Sequence, residues 1–107
     1  MPMVALSVDV EPWWASDIIP RGLYEEQDDL IVPAVDELLD LMERKDARAT
    51  FFILGEVAER YPEMVEDIAK RGHEVGSHGY DHTNLHQLTL DSFRESEGRV
   101  IEILRSI

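Results

Sequence analysis

Two histidines, His78 and His82, stand four residues apart in the segment SHGYDH, and two carboxylates, Asp9 and Glu11, stand two apart near the start of the chain. On one turn of helix the first spacing sets both imidazoles on the same side, where two neutral nitrogens can meet one cation at about 2.0–2.1 Å. The chain has no cysteine, so a metal would have to be held by His, Asp or Glu. A metalloprotease HExxH motif needs Glu directly after the first His, and Gly79 occupies that position, which argues against a zincin. Two His and one carboxylate with open positions suit a divalent metal, Zn2+ first among them, which lowers the pKa of a bound water toward about 7. A second carboxylate nearby can accept that water's proton.

These groups must be brought together by the elements that carry them. Val4, Leu6, Val8 and Val10 alternate with Ala5, Ser7, Asp9 and Glu11, the period of a strand, so both carboxylates point to one face near its C-terminal end. Residues 12–29 carry Pro12, Pro20, Gly22 and a cluster of acids, and read as a long loop with one helical turn. Leu30, Ile31, Val35, Leu38, Leu39 and Met42 recur at helical spacing, with Pro33 tolerated in the first turn. The run ATFFIL at residues 49–54 reads as a strand covered on both faces and ended by Gly55. Pro62 opens a helix through Met64, Val65, Ile68 and Ala69, which Gly72 is placed to cap. HEVGS at residues 73–77 is a short third strand. After a loop, Thr89 caps a last helix with Leu90, Phe93, Val100, Ile101 and Leu104 inward.

The resulting order of strand, helix, strand, helix, strand, helix predicts an α/β fold with a parallel sheet and right-handed crossovers. In such folds ligands bind beyond the C-terminal ends of the strands, and both the Asp9–Glu11 pair and His78 fall at that rim.

Composition narrows the partners. The 107 residues are enough for one domain, and 44% apolar content is too rich for a disordered chain. A formal charge of −13 repels phosphate backbones and anionic lipid, so neither nucleic acid nor a membrane surface is expected as a partner. The first ten residues lack a basic n-region and no apolar run reaches 18 residues, from which a cytoplasmic chain is expected. The acidic runs Glu25, Glu26, Asp28, Asp29 and Glu63, Glu66, Asp67 read as solvated faces, His86 as an exposed loop residue and His73 as structural.

The stretches SVDVEPWW and RATFFILGEVAERYPEMVEDIAKRGHEVGSHGYDHTNL resemble the first two motif regions of the polysaccharide deacetylase family, or NodB-homology domain. The resemblance implies a metal-dependent hydrolase that removes N-acetyl groups from a carbohydrate. It implies Asp9 as the catalytic base that takes a proton from the attacking water, and Glu11, His78 and His82 as metal ligands. Trp13, Trp14 and Tyr80 are candidate substrate contacts at the mouth of such a site, with packing over the rim as the plainer role for the tryptophans. Two departures stand out. Asp9 and Glu11 are separated by Val10 where the common motif has adjacent Asp residues, as in the branch that includes allantoinase-like enzymes. Gly79 stands where the family carries a Ser or Thr hydroxyl.

The family's fold is a distorted (β/α) barrel, and a barrel of eight such units usually needs about 250 residues. Residues 1–107 are therefore expected to form a single truncated domain, the N-terminal half of a barrel without the later motifs. A half barrel leaves a strand edge and an apolar face open, so a homo-oligomer that completes it is also expected. An allantoinase-like amide hydrolase and a noncatalytic metal- or glycan-binding fragment remain the alternatives to an N-deacetylase.

Overall fold

The computed structural model describes residues 2–15 and 29–107. Most of the expected loop over residues 12–29, with Glu25, Glu26 and Asp28 of the first acidic run, lies outside the described residues. Three parallel strands, β1 (Ser7–Val10), β2 (Thr50–Ile53) and β3 (Glu74–Ser77), form one sheet in the order β1-β2-β3. Four α-helices accompany them: α1 (Ile31–Arg44), α2 (Gly55–Arg60), α3 (Pro62–Lys70) and α4 (Leu90–Ser106). The parallel α/β architecture expected from the element order is the one observed.

Register explains the division of labour between the two faces. Val8 pairs with Phe51 and Phe51 with Val75, while Val10 pairs with Ile53, so these apolar side chains share the face that the helices cover. Leu39 of α1, Val57 of α2 and Ile68 of α3 are fully buried against them. Each such burial contributes about 1.5–3 kcal/mol relative to exposure. The opposite face carries Asp9, Phe52 and Gly76 in register. A Cβ on Gly76 would sit 3.0 Å from the Phe52 ring, so the glycine is what lets that ring lie across the strand.

Three expectations need correction. The first strand does not begin at Val4. Pairing with β2 starts at Ser7, the Thr50 N–H donating to the Leu6 carbonyl at 3.0 Å, and Met3, Val4 and Leu6 are exposed beyond it. Gly55 ends the strand as expected but also opens α2, a short helix whose Val57 and Ala58 are buried. Of the inward residues assigned to α4, only Val100 is buried and Leu104 partly so. Leu90, Phe93 and Ile101 are exposed, because α4 packs mainly on α2 and β3.

The predicted ends of the helices hold. Gly72 adopts φ 91° and its N–H donates to the Ala69 carbonyl at 3.0 Å, closing α3. Thr89 accepts the Ser92 N–H at 3.0 Å while Ser92 Oγ accepts the Thr89 N–H at 2.8 Å, a reciprocal capping box. Among the described residues no helix is long and apolar enough to cross a membrane.

Candidate metal centre

Glu11 leaves the C-terminal end of β1 on the face of Asp9, and His78 leaves the end of β3 on the face of Gly76, so strand parity alone aims both over the same rim. His82 arrives by a different route from the one its spacing suggested. Residues 78–82 are not helical. Gly79 (φ 83°) and His82 (φ 66°) both take left-handed backbone conformations that fold the loop back on itself. For a non-glycine residue such as His82 this costs about 1–2 kcal/mol. The two imidazoles end with centroids 4.9 Å apart and nearly perpendicular.

Backbone hydrogen bonds hold this loop in place. The His78 N–H donates to the Ile53 carbonyl at 3.1 Å, continuing the β2–β3 ladder by one residue. The first two N–H groups of α2 donate to the carbonyls of Gly79 (2.9 Å) and Tyr80 (3.0 Å), which provides the partners that a helix N-terminus otherwise lacks. On the other side the Gly79 N–H donates to Ser77 Oγ at 3.2 Å, and that hydroxyl donates to Glu97 Oε2 of α4 at 3.1 Å. Asp81 accepts hydrogen bonds from the Thr83 N–H and Thr83 hydroxyl, so its carboxylate serves the turn.

The donor atoms converge. Glu11 Oε1 lies 2.7 Å from His78 Nε2, and Glu11 Oε2 lies 3.1 Å from His82 Nε2. Asp9 Oδ2 stands 4.0 Å from His78 Nε2, its side chain 55% exposed. His82 Nε2 is buried and, although close to Glu11, makes no hydrogen bond of acceptable geometry. Donor atoms of Glu11, His78 and His82 all lie within 4.8 Å of one another, near enough to share one cation. A buried imidazole nitrogen without a hydrogen bond, beside a carboxylate and a second imidazole, is the donor set that suits a zinc-class cation. A cleft of about 280 Å³ adjoins the loop on its α4 side, with His78, Tyr80, His82, Leu88, Phe93 and Glu97 in its lining.

The aromatic candidates divide. Trp13 is half-buried in a 3-10 turn directly after the Glu11-Pro12 pair. Trp14 is only 6% exposed, its indole N–H donating to Asp29 Oδ2 at 2.9 Å and the Arg60 guanidinium 5.2 Å from its ring centroid, so it offers no face to a ligand. Tyr80 turns its ring into the α2–α4 junction, against Gly55 and under the Arg99 guanidinium at 4.4 Å. Burial there, with Glu59 nearby, raises its phenol above the usual tyrosine range. Trp14 thus packs inward, whereas Tyr80, half-buried, packs on Gly55 and also lines the cleft beside His78 and His82.

Further residues have roles that the sequence did not reveal. Asp29, read as part of a solvated run, accepts from Trp14 Nε1, the Tyr61 hydroxyl and the Ile31 N–H, which ties the segment after Glu11 to the start of α1. An Asp just before an apolar-periodic helix was the available signal. Ser77 and Glu97 had none, because their contact crosses 20 residues. Asp67, read as solvated, stays 40% exposed and accepts from Arg71 Nε at 3.3 Å one helical turn on. His73 is buried and His86 exposed, as expected.

Comparison with known proteins bears on family and fold. A peptidoglycan-N-acetylglucosamine deacetylase of Bacillus cereus is 39% identical over 71 residues, covering 66% of this chain and 26% of the relative. The structure of the peptidoglycan deacetylase PdaC from Bacillus subtilis superposes with a TM-score of 0.72 at 25% identity, over 95% of this chain and 42% of that one. A CE4-family pseudoenzyme from Bacillus anthracis shares the fold, with a TM-score of 0.74 at 22% identity over 97% of this chain and 31% of that one. The chain thus spans between about a quarter and two-fifths of the length of these proteins, and its parallel β/α units correspond to part of their (β/α) barrel. With the polysaccharide deacetylase family model matching residues 3–107, which takes in the carboxylate strand, the histidine loop and α4 alike, the chain belongs to the polysaccharide deacetylase family.

Proposed function

We propose that this chain carries the metal-binding and proton-accepting groups of a metal-dependent N-deacetylase acting on N-acetylated carbohydrate, with peptidoglycan glycan strands as the substrate class favoured by its relatives. The observation that carries this reading is the convergence of Glu11, His78 and His82, with Asp9 beside them. Glu11, His78 and His82 would hold the cation, and Zn2+ fits two imidazoles and a carboxylate best. Such a cation supplies a Lewis acid and a water of lowered pKa. Asp9, exposed and next to the donor set, is the group to accept a proton from the water that attacks the acetamide carbonyl. Trp13 and Tyr80, both half-buried and next to the donor set, are the aromatic candidates for contact with a sugar ring.

Zinc stoichiometry and acetate release from N-acetylglucosamine oligomers test this together. The full chain should bind about one zinc ion, and His82→Ala should lose it. Asp9→Asn should keep the metal while lowering any acetate release by about 100-fold or more. Zinc bound with no acetate release from the parent protein would leave a metal- or glycan-binding role in place of catalysis. No zinc in either form would sink the reading.

A further inference from the structure

We propose that Ser77 and Glu97 position the metal-binding loop, with Glu97 acting on it through the Ser77 hydroxyl; the inference rests on the metal site proposed above. Gly79 sits between the two histidines in a left-handed conformation and has no side chain with which to anchor itself. Its carbonyl and that of Tyr80 are held by the N-terminus of α2. Its N–H faces the other way and donates to Ser77 Oγ at 3.2 Å. A serine hydroxyl has one proton and two lone pairs. Here the proton goes to Glu97 Oε2 at 3.1 Å, which leaves the lone pairs to the Gly79 N–H. A carboxylate acceptor makes that bond stronger than a neutral one, and it fixes the hydroxyl rotor. The peptide after His78 is therefore held between α2 on one side and α4 on the other.

This support bears on the two imidazoles. They must keep their Nε2 atoms converged on Glu11, and the chain between them turns on two left-handed residues, one of them the non-glycine His82. Without the Ser77–Glu97 pair, one of the supports that keep Gly79 in that turn is gone. Groups that orient metal ligands from outside the coordination sphere typically change affinity by about 10–100-fold when removed. Ser77 and Glu97 act on the backbone between the ligands rather than on a ligand ring, so the lower end of that range applies.

The test uses the full chain titrated with Zn2+ and, separately, with Co2+, whose d–d absorption reports ligand geometry. Ser77→Ala and Glu97→Ala should each weaken zinc binding about tenfold and shift or flatten the cobalt bands. The double variant should be no worse than either single one, because the two residues act as a unit. Glu97→Gln keeps an acceptor oxygen for Ser77 and should restore most of the affinity. Arg71→Ala breaks contacts to Asp40 and Asp67 at the opposite end of β3 and serves as a control for general destabilisation. It should lower the melting temperature and leave the cobalt spectrum alone. Unchanged affinity and spectrum in both Ser77→Ala and Glu97→Ala, in a parent that binds cobalt and a His82→Ala that does not, would overturn the proposal while leaving the metal site standing. An equal spectral change in Arg71→Ala would also overturn it. A parent that binds no more cobalt than His82→Ala would remove the metal site and the inference with it.

Discussion

His73 sits at the opposite end of β3 from the metal loop and shows how a buried histidine can serve structure alone. Its Nδ1 accepts the Ala49 N–H at 3.2 Å, tying β3 to the residue before β2, and its ring meets Phe51 edge-on at 5.1 Å. Accepting that bond requires an unprotonated Nδ1. Burial, and then the positive charges of Arg48 and Arg71, lower its pKa below the ordinary 6.5. In the unfolded chain it titrates near 6.5, so above that pH neither state carries the proton. As pH falls below this value the unfolded chain binds a proton that the folded chain resists, and stability drops until the folded-state pKa is passed. Urea denaturation at a series of pH values should therefore show acid destabilisation setting in below about 6.5 that is reduced in His73→Gln. Identical pH profiles for the two proteins would refute this role.

At the scale of elements, α4 is the least supported of the long helices, since Val100 is its one buried residue. Local terms therefore weigh heavily in its stability. Thr89→Ala removes half of the capping box and should cost about 1 kcal/mol. Gly98 lies in mid-helix, where an added methyl group would meet nothing within 4 Å, so Gly98→Ala should add about 0.5–1 kcal/mol. The denaturation midpoint should move in opposite directions for the two variants, and an unmoved midpoint in both would mean that α4 does not unfold with the core. Because Glu97 lies beside Gly98 and holds Ser77, firming α4 should also firm the histidine loop. The Gly98→Ala chain would then bind zinc at least as tightly as its parent.

At the scale of the molecule, β1 and β3 are both sheet edges among the described residues. Met3 is 97% exposed and Val4 80%, in line with β1, and Leu90 and Phe93 are exposed on α4. Unpaired edges and apolar side chains in water favour association. Analytical ultracentrifugation at tens of micromolar should give a mass above the 12.3 kDa of one chain, and Val4→Lys should lower it. Sedimentation at the single-chain mass, with no binding of a hydrophobic dye, would refute this expectation. Zinc held by Glu11, His78 and His82 would join β1 to the loop after β3, and ligand at 100 times its Kd would stabilise the fold by about 2.7 kcal/mol. The melting temperature should rise on adding zinc and fall back with a chelator, and His82→Ala should show neither change.

Much of this was written locally. Strand alternation placed Asp9 and Glu11 on one face, ATFFIL marked the central strand, and Thr89 and Gly72 marked helix ends, because each depends on neighbours within a few residues. The candidate donors were also local, since His78 and His82 stand out by type and spacing and Asp9 and Glu11 by strand parity, while the family resemblance is what singled out Glu11 as the ligand. The path by which His82 reaches Glu11 was not. Its spacing suggested a helical turn, whereas α2 capping, the Ser77–Glu97 pair and two left-handed residues make a loop. Nor could sequence tell that Trp14 packs inward, that Asp29 is a hub, or that much of the apolar face of α4 stays in water. Those outcomes depend on which surfaces meet across tens of residues, and only the packed chain decides that.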